Sequence, residues 1–182
     1  MILISHRGNI NQKNPSTENS PSYIDAAIEM GFQVEIDVWY LEKDFFLGHD
    51  SAQYKIDFEW ISKRKSFLWV HCKNILAVEE FNDNGKNPMY SEINYFFHDS
   101  DDLTITSKGF LWVYPGKQPV KNSIAVLPEL YNDDLNLSSL EQHDDNEIIY
   151  MTNIVEDQRK NLSTNYVPNV KLTNISMTLQ LR

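Results

Sequence analysis

Runs of apolar and β-branched residues four to eight long recur along the chain, and polar, turn-forming residues separate them. They fall at Met1 to Ser5, Gln33 to Tyr40, Phe67 to Cys72, Asn94 to Phe97, Phe110 to Tyr114, Ser123 to Leu127 and Glu147 to Met151. This pattern predicts seven strands. Between the first two lies a helical signal: Ser20 as cap, Pro21 at the first helical position, an apolar face of Ile24, Ala27 and Ile28, and Gly31 as the stop. Asp57 is placed to cap a second helix over Phe58 to Lys65, Ile75 to Phe81 reads as a third and Leu137 to His143 as a fourth, weaker one. Strand and helix alternate, which calls for parallel strands joined by crossover helices. A doubly wound sheet and a barrel both satisfy that order.

The interruptions in these strands are more informative than the strands. His6 and Arg7 follow the first, Glu35 and Asp37 sit inside the second, His71 and Lys73 end the third, His98 closes the fourth, Tyr114 the fifth, and Glu129 follows the sixth. In α/β proteins the C-terminal ends of parallel strands are where ligands bind. Residues two apart on a strand share a face, so Glu35 lies beside Asp37 and His71 beside Lys73. Two carboxylates on one buried face repel, and isolated buried charge is very costly. A divalent ion resolves the conflict by drawing oxygen ligands from both. The rival explanation is simple ion pairing of Glu35 and Asp37 with Arg7 and Lys73.

His6 at this mouth and His49, in the sequence Gly48-His49-Asp50 beyond an expected hairpin or strand extension, are two imidazoles suited to general acid and base work on a phosphate ester. His98 stands ready as a further imidazole ligand beside His71. The acidic run Asp99, Asp101, Asp102 reads as a solvated loop, and Trp112 with Tyr114 as one strand face, packed in the core first and stacking on ligand second.

Composition narrows the partners. The 182 residues are 41% hydrophobic and 12% aromatic, enough for a core of ordinary domain size, and neither a repeat nor a linker divides them, so one domain over 1–182 is expected. A formal charge of −10 excludes a nucleic-acid partner, which needs a basic face. A single cysteine, Cys72, allows no internal disulfide and reads as an inert core thiol. No signal peptide is apparent and no apolar run reaches the ~20 residues of a membrane helix, so no stable membrane insertion and a cytoplasmic setting are expected.

The pieces SHRG (Ser5 to Gly8), ENS (Glu18 to Ser20), the helix ending at Met30-Gly31, EIDV (Glu35 to Val38) and GHD (Gly48 to Asp50) together resemble the glycerophosphodiester phosphodiesterase family. The wider group includes phosphatidylinositol-specific phospholipases C and the spider-venom phospholipases. The likeness is good over about the first fifty residues and fades beyond Lys73. It implies a compact (β/α) TIM-type barrel, reduced or irregular in its C-terminal part, that cleaves a small phosphodiester in lipid metabolism with one divalent metal ion. His6 and His49 become the acid–base pair, Arg7 and Lys73 the phosphate ligands, Glu35 and Asp37 metal ligands, and Glu18 either a ligand or a residue that supports the ligands from behind. His71, a metal ligand in this reading, replaces the family's third-strand glutamate; the resemblance implies Mg or Ca, and the imidazole opens the site to Mn or Zn or else leaves it without a metal. The same substitution leaves open a barrel that binds a phosphorylated ligand without turnover. The venom branch adds a third outcome, a cyclising, phospholipase-D-like phosphotransfer. An amidohydrolase-type barrel ranks below these, because its His-x-His first strand is missing. At 182 residues the chain is short for an eight-unit barrel of ~250; a closing strand over Val170 to Leu181, or helices reduced to loops, accounts for the deficit.

Overall fold

The computed structural model describes residues 2–118, 120, 123–127, 130, 149–153 and 155–156. The chain runs β1 (Ile2–His6), α1 (Pro21–Glu29), β2 (Gln33–Leu41), β3 (Asp44–Leu47), β4 (Tyr54–Ile56), α2 (Phe58–Arg64), β5 (Leu68–Cys72), α3 (Ile75–Asp83), α4 (Pro88–Ser91), β6 (Asn94–Phe96), β7 (Leu103–Ile105), β8 (Leu111–Val113), β9 (Ser123–Val126) and β10 (Ile149–Thr152). All seven expected strands are present, and so are the helices expected after Pro21, Asp57 and Lys73. The fourth helix, the strand over Val170 to Leu181 and Glu129 lie outside the described residues.

Among the described residues the strands form one mixed sheet that does not close on itself. Parallel pairing joins β1 to β2, β2 to β5, β5 to β6, β8 to β9, β9 to β10 and β10 to β1. Each parallel strand therefore neighbours the next in the chain except at β6 and β8, which do not pair, and β10 lies against β1. Antiparallel additions complete the sheet: β3 and β4 fold back from the end of β2, and β7 pairs with β8. These short strands are additions to the expected seven.

Two cores lie on opposite faces. In β2 and β5 the alternate residues Val34, Ile36, Val38, Leu68, Val70 and Cys72 join Ile24 and Ala27 of α1, Ile61 of α2, and Ala77 and Phe81 of α3. The residues between them face the other way, where Ile4, Trp69, Phe96, Trp112, Ile124, Val126 and Met151 pack together. Two positions further along the same strands come His6, His71, His98, Tyr114 and Asn153. One face thus carries an apolar floor with a polar layer above it, at the C-terminal ends of the strands.

Asp57 caps α2 as expected, accepting from Trp60 N, and Asn74, which the sequence reading does not single out as a cap, caps α3 by accepting from Ala77 N. Ser20 is a correction: its side chain makes no capping bond, and its carbonyl instead accepts from Tyr23 N and Ile24 N while Pro21 removes one orphan donor.

A candidate metal and phosphate site

The polar layer is built around Asp37, which has no solvent exposure. Its Oδ1 is 3.0 Å from His71 Nδ1 and 3.5 Å from Lys73 Nζ, and its Oδ2 lies 2.9 Å from Arg7 Nε and accepts from Asn19 Nδ2 at 2.8 Å. The Arg7 contact is coulombic: its N–H does not point along the line to the carboxylate, and Arg7 Nε has no hydrogen-bond partner. Burial by itself would raise the Asp37 pKa. The His71 hydrogen bond and the Arg7 and Lys73 charges outweigh it and hold the carboxyl well below the usual range.

Glu35, two residues earlier on the same face, is 3% exposed and lies 3.6 Å from His71 Nδ1 through Oε1. Its other oxygen, Oε2, is buried and without a hydrogen-bond partner. One ligand atom each from Glu35, Asp37 and His71 falls within 4.8 Å of the others. Two carboxylates and an imidazole are a donor set for a divalent ion, and an orphaned buried carboxylate oxygen is a lone pair lacking a cation, so the residues fit the ion that the sequence called for. Burial works against a charge on His71, yet hydrogen bonds to Asp37 and Glu35 push its pKa up to about 8. An ion binding through His71 would compete with the ring proton.

The backbone after β1 brings in the remaining groups. Arg7 and Gly8 turn with φ of 55° and 87°, and Arg7 N donates to the Glu35 carbonyl while Asn19 N donates to that of Arg7. A Cβ at position 8 would stand 2.8 Å from the Tyr23 ring, so both the conformation and the space require glycine. Glu18 stands behind Arg7: its Oε2 is 3.3 Å from Arg7 and its Oε1 accepts from Asn9 at 2.8 Å. The expected role of Glu18 as a ligand corresponds in the structure to a brace on Arg7, outside the Glu35, Asp37 and His71 group.

His6 is 7% exposed, with Nε2 3.9 Å from Glu35 Oε2 and Nδ1 2.9 Å from Asn153 Oδ1. Burial lowers its pKa in spite of Glu35. His98 stacks on His71 with ring centres 4.6 Å apart and 5° between planes, and Tyr114 meets it edge-on at 5.6 Å. Burial and the His71 charge push the His98 pKa down to about 4, and its Nδ1 is buried and unpaired. Trp112 and Tyr114, expected together, divide: Trp112 packs in the floor at 3% exposure, while Tyr114 stands at the rim at 40%.

His49 is less closely bound. Gly48 N donates to the Asp37 carbonyl, which sets His49 near the C-terminal part of β2, but its ring is half exposed and pairs with Asp50 at 2.6 Å. A Cβ on Gly48 would lie 2.1 Å from the Ser51 carbonyl oxygen, so this turn too depends on glycine. Asn9, Asn19 and Asn153 escaped the sequence reading as site residues; Asn19 lies in the ENS piece, but a neutral amide carries no charge or periodicity signal. Elsewhere, a groove of about 850 Å³ between β3, β4 and α2, lined among others by Phe45, Phe58, Trp60 and Tyr90, shares no residue with this layer. Among the described residues no helix is long and apolar enough to cross a membrane. No protein-family model and no curated protein matches the sequence.

Proposed function

We propose that this chain is a metal-assisted phosphodiesterase acting on a small glycerophosphodiester-like substrate, built on a (β/α) barrel. The observation that carries the reading is the convergence of Glu35, Asp37 and His71 within 4.8 Å, next to the cations of Arg7 and Lys73. The barrel is supported by the chain order of the parallel strands and by contacts across the break between β6 and β8, where the Phe96 and Trp112 rings lie 4.3 Å apart and Ser107 N donates to the Tyr95 carbonyl.

In this reading Glu35, Asp37 and His71 hold one divalent ion, Mn or Zn ahead of Mg or Ca because of the imidazole. Such an ion supplies fixed positive charge where a phosphoryl oxygen gathers negative charge. Arg7 and Lys73 bring two further cations to the same oxygens. His6 takes the proton of the attacking hydroxyl at Nε2, and His49 gives one to the leaving alcohol from the rim, where its exposure suits access to bulk water. The attacking hydroxyl is water for hydrolysis and a neighbouring substrate hydroxyl for cyclisation.

Phosphorus NMR of glycerophosphodiesters with the purified protein tests this, with arms for chelator, Mg, Ca, Mn and Zn and a His49→Ala control. Ion-dependent monoester or cyclic product that is lost in the control is expected; absence of product with every ion overturns the reading. A second reading, a barrel that binds a phosphorylated ligand without turnover, is favoured by one observation. His71 lies between Glu35 and Asp37 with its pKa raised to about 8, so a protonated ring together with Arg7 and Lys73 can balance the carboxylates without an ion. Calorimetry separates the two: uptake of a divalent ion favours the enzyme, and phosphate ester binding without ion uptake favours the binder.

A further inference from the structure

Asn153 is buried at 8% exposure, comes from the far end of the described chain, and is joined to His6 across 147 residues. The hydrogen bonds that lead to it can be read in only one sense. Asn14 N, a backbone donor, points at Asn9 Oδ1 at 3.0 Å, which fixes which end of the Asn9 amide is oxygen. The amino end, Nδ2, then faces Glu18 Oε1 at 2.8 Å and Asn153 at 2.9 Å, using both of its hydrogens. The Asn153 atom on that side must accept, so it is Oδ1. The same oxygen stands 2.9 Å from His6 Nδ1. An oxygen cannot donate, so the hydrogen of that contact belongs to His6.

We propose that Asn153 is a positioning residue that holds neutral His6 in the tautomer with hydrogen on Nδ1, leaving the Nε2 lone pair directed toward the Glu35 side of the site. The sense of the lock is set remotely, by a backbone N–H at Asn14 acting through Asn9. Free imidazole side chains in water prefer the opposite tautomer, so the amide chain performs a selection that the histidine would not make unaided. Backbone bonds hold the relay rigid: Asn9 N donates to the His6 carbonyl, and the Ser5 hydroxyl donates to the Asn9 carbonyl at 2.8 Å. A base whose lone pair faced Asn153 would have no route to a substrate proton, so the role of Nε2 rests on the phosphodiesterase reading, while the tautomer itself does not.

Nitrogen NMR of protein labelled with ¹⁵N-histidine tests the assignment, the His6 signals being identified by their loss in His6→Gln. The folded parent chain and Asn153→Asp, which keeps an acceptor, are expected to show hydrogen on Nδ1. Asn153→Leu is expected to move toward hydrogen on Nε2 and to lose about 10- to 100-fold in kcat, the usual effect of removing a residue that orients a ligand or base. Asn9→Asp, which keeps the backbone bond to the His6 carbonyl and alters a side chain that makes no hydrogen bond to His6, is expected to turn the Asn153 amide over and shift the tautomer in the same direction. Hydrogen on Nε2 in the folded parent chain overturns the proposal, as does an unchanged tautomer in a folded Asn153→Leu. The parent spectrum is decisive even where a variant fails to fold. If the parent turns over no phosphodiester yet shows hydrogen on Nδ1, the functional reading fails and the positioning role stands.

Discussion

The two faces of β2 are made by the same nine residues and could hardly differ more. Toward α1 and α3, Val34, Ile36 and Val38 are fully buried among aliphatic and aromatic side chains and need nothing but shape. Toward the other side, Glu35 and Asp37 are buried as well, and Asp37 is held by charge and hydrogen bonds from Arg7, Asn19, His71 and Lys73, in three segments of the chain. An apolar position tolerates a smaller neighbour at the cost of a cavity. A buried charge tolerates no missing partner, because those left behind are stranded without water. Stability and chemistry are thus separated by one step of the strand.

The sharpest way to break this comparison is Asp37→Asn. It removes the common partner of Arg7, His71 and Lys73, and a loss of about 3–5 kcal/mol in urea unfolding is expected together with loss of ion uptake. Ile36→Ala, one position away and on the opposite face, is expected to lose about 2–5 kcal/mol while ion affinity per folded molecule stays that of the parent. If Ile36→Ala weakens ion binding as much as Asp37→Asn does, the two faces are not independent.

A smaller effect is expected from pH in the chelated protein. His98, with its pKa lowered from 6.5 to about 4, binds a proton in the unfolded chain before the folded one, so stability falls as the solution is acidified through that window. His71, raised from 6.5 to about 8, does the reverse, and its contribution, full below pH 6.5, is lost as pH rises through 8. Stability should peak near 6.5, and His71→Gln should remove the alkaline limb of a denaturation series. The least visible effect belongs to the apolar face. Burial pushes the Cys72 thiol up to about 12, so it should not react with a thiol reagent until the protein unfolds.

Much of this division could be read from residue order. Alternation in Val34 to Val38 and Leu68 to Lys73 named the sides correctly, and Arg7, Asp37, His71 and Lys73 do converge. The strands β4 and β7 were illegible because a polar residue, Lys55 or Thr104, breaks each three-residue strand, whereas the equally short β6 and β8 lie in apolar and aromatic runs; β3 was legible only as the continuation of a hairpin. Asn9 and Asn153 were hidden for a different reason. Asparagine is frequent in this chain and its amide works equally well in a turn, a cap or a site, so only position tells these uses apart. His49 shows the limit of a motif: Gly48-His49-Asp50 set the residue near β2, while the side chain pairs with its own neighbour.

The reach of Asn153 across the chain has a consequence in time. Every side chain that clamps Asp37 has been synthesised once Lys73 is made, whereas the group that orients His6 follows β10. At ~5–20 residues per second, the interval between them is on the order of several seconds. Closing the longer loop also costs roughly 1 kcal/mol more than closing the 34 residues between Asp37 and His71. A nascent chain that can gather its carboxylates and cations therefore exists before one in which Asn153 orients His6; on the phosphodiesterase reading, the ion site would be complete before the base.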